Sequence, residues 1–111
     1  MIIQPSEENG VTILVLEGRL DTSTTTIYDQ AYAAAFAGGA RRFVLDCAAL
    51  SYVSSTGLRS FLHSIKQLGA SGGKLAIATP SHMVLEVLEI SGFKPLLTIC
   101  PTRSAAVAAL T

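Results

Sequence analysis

The run Arg41-Arg-Phe-Val-Leu-Asp-Cys-Ala-Ala-Leu-Ser-Tyr-Val-Ser-Ser-Thr-Gly-Leu58 places a strand directly ahead of a helix, and the rest of the chain repeats that order. Arg41 to Cys47 reads as a strand centred on Phe43, Val44 and Leu45, and Leu50 to Val53 leads into three successive hydroxyls, Ser54-Ser55-Thr56. Beyond them Leu58, Phe61, Leu62, Ile65 and Leu68 recur at i, i+3, i+4, i+7 and i+10, the apolar stripe of an amphipathic helix. Gly69 to Gly73 ends it, and Lys74 to Ala78 forms the next strand. Upstream, Val11 to Leu16 is apolar at five of six positions, which predicts a strand buried on both faces. Glu8-Asn9-Gly10 joins it to Ile2-Ile3 as an antiparallel hairpin, because Asn-Gly supplies positive φ readily. Gly18-Arg19-Leu20-Asp21 then breaks the run. Asp21 and Thr22-Ser23-Thr24 offer N-caps for a helix through about Ala37, with Ile27, Ala31, Ala34 and Ala35 as its inner face and Gly38-Gly39 as its stop. Pro80-Ser81 opens a helix that turns Val84, Val87 and Leu88 inward and ends at Ser91-Gly92. A short strand around Leu96 to Ile99 and an Ala-rich helix from about Thr102 complete the chain.

Strands alternating with helices predict one α/β domain spanning residues 1–111, a mixed four- to five-stranded sheet packed by about four helices and joined by right-handed crossovers. At 111 residues the chain is long enough to bury a real core. Half the residues are apolar and 14% are charged, which excludes a disordered polyelectrolyte. Eight basic residues balance eight acidic ones, so nothing draws the protein to nucleic acid or an anionic membrane. Cys47 and Cys100 lack CxxC spacing and are expected to be free thiols in a reducing compartment. The N-terminus has neither the basic region nor the long apolar core of a signal peptide. No apolar run approaches the ~20 residues that span a bilayer, so the expectation is a soluble, cytoplasmic protein without direct membrane insertion.

Catalysis has little to work with, and no enzyme activity, cofactor or metal is expected. His63 and His82 are the only histidines, and neither has a Cys or carboxylate at ligand spacing. Asp46 stands alone after a strand. Gly69-Ala-Ser-Gly-Gly73 follows a helix and precedes a strand, the reverse of a phosphate loop, and neither GxxxxGK[ST] nor GxGxxG occurs. The Ser54-Ser55-Thr56-Gly57 cluster differs in kind. One reading makes it a helix cap. The other starts from three hydroxyls being more than one cap needs. A helix N-terminus carries about half a positive charge and unpaired N–H groups, so a phosphate there would add ~1.5–2 negative charges without unfolding the domain.

The segment Leu50-Ser-Tyr-Val-Ser-Ser-Thr-Gly-Leu58 resembles the phosphorylation segment of STAS-domain anti-sigma factor antagonists, commonly Leu-x-(aromatic)-(aliphatic)-Asp-Ser-(Ser/Thr)-Gly-Leu. Gly18-Arg-Leu-Asp21 is similar to the family's Gly-Glu-Leu-Asp, and Ile90-Ser-Gly-Phe93 to the motif that ends its third helix. Order and spacing agree over nearly the whole chain. The resemblance implies phosphorylation at Ser55, with Thr56 the lesser candidate, and a docking face built on Asp21, Ser54, Ser55, Thr56, Gly57, Leu58 and Arg59. The partner it implies is an anti-sigma factor that is also a serine kinase of the histidine-kinase-like ATPase fold. That kinase is bound by the unphosphorylated protein, which frees the sigma factor, and is released once Ser55 is modified; a PP2C-type phosphatase reverses the modification. Ser54 stands where the family usually has aspartate and Arg19 where glutamate is usual, leaving this surface less acidic. Related STAS roles are a transporter subunit for lipids, a stressosome-like scaffold, or a small-ligand domain using the Gly18–Asp21 and Ser54–Gly57 loops as its pocket.

Overall fold

The computed structural model describes residues Met1–Thr111. Strand β1 (Ile2–Glu8) turns through Asn9 and Gly10, both at positive φ (52° and 77°), into β2 (Val11–Leu20). Two consecutive left-handed residues match the right-handed twist of paired strands, which is why Asn-Gly serves here. Then follow α1 (Thr25–Ala37), β3 (Arg42–Val53), α2 (Ser55–Ala70), β4 (Lys74–Ala78), α3 (His82–Ile90), a 3₁₀ turn (Lys94–Leu96), β5 (Ile99–Cys100) and α4 (Arg103–Leu110). The sheet order is β1-β2-β3-β4-β5, with β1 antiparallel and every other pair parallel.

Alternation along β2 and β3 divides the interior into two layers. On one face Leu14, Leu16, Leu20, Phe43 and Leu45 pack with Tyr28 of α1, Phe61 and Leu68 of α2, and Leu88 of α3. On the other, Val11, Ile13 and Val44 pack with Ala106, Val107 and Leu110 of α4. The expected burial of Val11–Leu16 on both faces follows. Cys47 and Cys100 are free and buried, one in each layer, and burial pushes the Cys47 thiol well up.

Four details differ from the sequence expectation. The inner face of α1 is centred on Tyr28 and Tyr32, with Ala31 half-buried and Ala35 packed against the core as expected, whereas Ile27 is 40% exposed and Ala34 is exposed. Aromatic rings bury far more surface than alanines, and Tyr28 also meets Phe61 edge-on at 5.3 Å while its hydroxyl lies 2.8 Å from Ser64 Oγ. Strands β2 and β3 do not stop at Leu16 and Cys47 but stay paired through Leu20 and Val53, across irregularities beside Gly18 (φ 103°). Extra residues in a bulge let a ladder bend without ending. The segment around Leu96 is the 3₁₀ turn, which contains Pro95, and the short strand lies later at Ile99–Cys100.

Asp46 is the fourth. It sits within β3, 6% exposed, and its Oδ2 accepts from Arg103 Nε at 2.8 Å and Nη2 at 2.7 Å. Arg103 also reaches Glu8 at 3.7 Å, so one guanidinium ties α4 to β3 and β1. A buried carboxylate deprived of its partner is costly. Arg103→Ala is therefore expected to lower unfolding free energy by about 2 kcal/mol, with Arg103→Lys recovering only part because an ammonium lacks the fork; urea denaturation of the three proteins checks this.

Candidate functional site

Parallel β2 and β3 finish level with each other, Leu20 beside Val53, and the chain leaves β3 with the Ser54 N–H donating to Leu20 O at 2.9 Å. Ser54 is extended (φ −86°, ψ 172°); its Oγ accepts the Gly57 N–H at 3.1 Å and its carbonyl accepts the Leu58 N–H at 2.9 Å. It is the N-cap of α2. Ser55 is consequently the first helical residue, and its exposed hydroxyl takes no bond within the protein. The N–H groups of a first turn have no intrahelical acceptor, so donors and a partial positive charge lie beside that hydroxyl.

The other members of the cluster are committed. Thr56 Oγ1 accepts from Thr22 Oγ1 at 3.3 Å, joining the loop before α1 to α2. Gly57 is buried against Leu20: a Cβ on it would stand 2.8 Å from Leu20 Cγ and 2.9 Å from Leu20 O. Leu58 is 5% exposed and belongs to the core. Of the expected docking residues, Gly57 and Leu58 thus hold the site from beneath rather than presenting themselves to a partner. Arg59 is exposed one turn beyond Ser55, on the same side of the helix.

Asp21 does not cap α1, which begins only at Thr25. It closes the turn before it. Oδ1 accepts the Ser23 hydroxyl at 2.7 Å and the Ser23 N–H at 3.0 Å, while its carbonyl accepts the N–H groups of Thr24 and Thr25. The Ser23 hydroxyl above all holds the Asp21 carboxyl below its ordinary range, assisted by the Ser23 N–H, Thr24 and Arg19. Arg19 lies 3.6 Å from Asp21 Oδ2 and 4.3 Å over the Tyr52 ring. Thr24, at the N-cap position of α1, instead donates its hydroxyl to Arg19 O at 2.8 Å.

This arrangement presents a neutral hydroxyl beside a helix N-terminus. His63 is exposed on α2, and His82 is an exposed neighbour of Glu86. No three His, Cys, Asp or Glu side chains converge to hold a metal ion. No helix is long and apolar enough to cross a membrane. On the residues alone Ser55 reads as a helix cap; the structure gives the cap to Ser54, whose Oγ takes the Gly57 N–H, and the sequence held no signal for that difference. The Thr22–Thr56 link and the Gly57–Leu20 fit had none.

A family model described as STAS domain matches residues 3–106. The chain is 38% identical over 101 residues to BtrV of Bordetella bronchiseptica, a protein named as an anti-sigma factor antagonist; the match covers 91% of this chain and 87% of BtrV. Among solved structures, an anti-sigma factor antagonist from Mycobacterium paratuberculosis aligns with a TM-score of 0.90 at 20% identity, over 98% of this chain and 92% of the other. SpoIIAA aligns at 0.79 and 24% identity in its unphosphorylated form, over 97% of this chain and 95% of its own. The phosphorylated Bacillus form aligns at 0.75 and 21%, over 99% and 100%. These structural likenesses establish the same fold.

Two substitutions separate the supports from the exposed hydroxyl. Gly57→Ala is expected to cost about 1–3 kcal/mol because its methyl meets Leu20 backbone, and Ser54→Ala about 1 kcal/mol through the lost cap. Ser55→Ala should stay within about 0.5 kcal/mol of the parent. Thermal and urea unfolding of the set reads all three.

Proposed function

We propose that this chain, which belongs to the STAS-domain family, is an anti-sigma factor antagonist that works by partner switching. The observation that carries the reading is the division of labour at α2: Ser54 takes the cap bond while Ser55, to which the motif resemblance assigns the modification, keeps a free and exposed hydroxyl. The similarity to BtrV over most of both chains supports it.

In the unphosphorylated state the docking surface is formed by Asp21, Ser55, Thr56 and Arg59 around the start of α2. Binding an anti-sigma factor through this surface frees the sigma factor. The bound factor, a serine kinase of the histidine-kinase-like ATPase fold, then supplies ATP. Ser55 Oγ attacks the γ-phosphorus, its proton leaves to solvent or a kinase base, and ADP departs. The product carries ~1.5–2 added negative charges at neutral pH. For the antagonist itself that charge is well placed, since first-turn N–H groups and the Arg59 guanidinium receive it. Against a docked partner it is an uncompensated buried charge costing several kcal/mol, and each 1.4 kcal/mol is tenfold in affinity. Modification therefore ejects the partner while the fold persists, and a PP2C-type phosphatase restores the first state.

The small-ligand alternative finds little support, because the two loops meet directly through Ser54–Leu20, Ser51–Gly18 and Thr22–Thr56 contacts. Incubation with ATP and each anti-sigma serine kinase of its own organism is expected in one case to add one phosphate, absent in Ser55→Ala, as read by intact mass; a wild type left unmodified by all of them would sink the reading. Ser55→Asp should bind that kinase at least tenfold more weakly by calorimetry. Its unfolding free energy should be unchanged or up to ~1 kcal/mol higher, since an anion suits a helix start.

A further inference from the structure

The outward side of α2 carries an apolar groove that the hydroxyl site does not use. Leu62 and Ile65 line it from α2, Phe93 and Leu96 from the segment after α3, and Arg59, His63 and Lys66 complete a hollow of about 550 Å³. Phe93 and Leu96 are 42% and 63% exposed, although burying such a side chain is worth about 1.5–3 kcal/mol. Apolar surface left open within a polar rim marks a contact site.

Charge indicates what fits there. No carboxylate lines the groove. Neighbouring Lys94 is already paired with Glu89 at 3.9 Å, whereas Arg59 and Lys66 take part in none of the ion pairs of the fold. These two cations stand seven residues apart on α2, about 10 Å along its axis, with Leu62 and Ile65 between them. The complement is two turns of an amphipathic helix, apolar at its centre and acidic at both ends. Arg59 also borders the adjoining hollow lined by Thr56, the residue after Ser55, so the groove adjoins a surface that reaches the first turn of α2.

We infer that this groove seats an acidic amphipathic helix of the same partner that Ser55 controls; the inference rests on the partner-switching reading. Arg59 couples the two regions. A phosphate on Ser55 stands one helical turn away on the same side and draws the guanidinium from the groove's rim, so modification weakens the apolar contact as well as adding repulsive charge.

The test is calorimetric binding of the organism's anti-sigma serine kinases to the wild type, Leu96→Asp and Lys66→Glu, with circular dichroism confirming the fold and Leu96→Ser replacing Leu96→Asp if that variant is disturbed. Each variant is expected to bind at least tenfold more weakly, the Lys66→Glu loss shrinking as salt rises. Wild-type affinity in both variants overturns the groove and leaves partner switching standing. Absence of binding by the wild type removes partner switching, and the groove assignment with it. Sedimentation in which the wild type self-associates and Leu96→Asp is monomeric, with kinase affinity equal in the two, assigns the groove to a second copy and also overturns the inference.

Discussion

The first turn of α2 is pressed against the last residue of β2. Leu20 accepts the Ser54 N–H through its carbonyl and leaves room above its side chain for a hydrogen but not a methyl at Gly57. That contact fixes where the helix starts, and hence which of three successive hydroxyls is spent on the cap. It also explains why β2 and β3 must stay paired as far as Leu20 and Val53: a ladder ending at Leu16 would leave no rigid edge for the helix to sit on. The Tyr28–Ser64 bond and the Tyr28–Phe61 edge contact then hold α1 to the middle of α2, so the loop before α1 reaches Thr56 by consequence.

A site held this way responds to charge more than to shape. Its cap, its glycine and its leucine are all committed to the interior, so a phosphate at the first helical position finds donors already in place and need not remodel the backbone. The two arginines nearby differ in the same respect. Arg19 is occupied by Asp21 and the Tyr52 ring, while Arg59 is unengaged and one turn from Ser55. The departures from the family pattern at Ser54 and Arg19 acquire a physical sense together. Serine supplies the cap oxygen that aspartate would supply, without a negative charge next to the one that the proposed phosphorylation would add, and Arg19 pairs with Asp21.

The elements with strong local signals were legible in the sequence: the Asn-Gly hairpin, the doubly buried β2, the apolar stripe of α2 and the serine that opens α3. What was not legible depended on tertiary partners. Alanines in α1 fit a helical stripe as well as tyrosines do, and only the facing Phe61 and Ser64 decide that Tyr28 goes inside. The continuation of β2 through Gly18 and Arg19 is invisible to periodicity because a bulge interrupts it. Asp46 followed an apolar run and so resembled a residue at the mouth of a sheet; its partner Arg103 lies 57 residues away, beyond any local pattern. Similarly, the motif located the hydroxyl site, but its apportioning between Ser54 and Ser55 needed the backbone angles at Ser54.

Asp46 and Ser55 illustrate one criterion applied with opposite results. A polar side chain whose hydrogen-bonding capacity is consumed inside the protein is accounted for by folding. Asp46, receiving Arg103 on one oxygen and the Ala48 N–H on the other, is accounted for, as are Ser64 with Tyr28 and Ser54 with Gly57. Ser55 is not. Its hydroxyl lies in the one position of the cluster where the fold supplies neighbouring donors and a favourable potential yet makes no use of the group itself. Fold stability does not require a serine there over the many other residues that suit a helix's first turn, which leaves its exposed hydroxyl free to meet a partner.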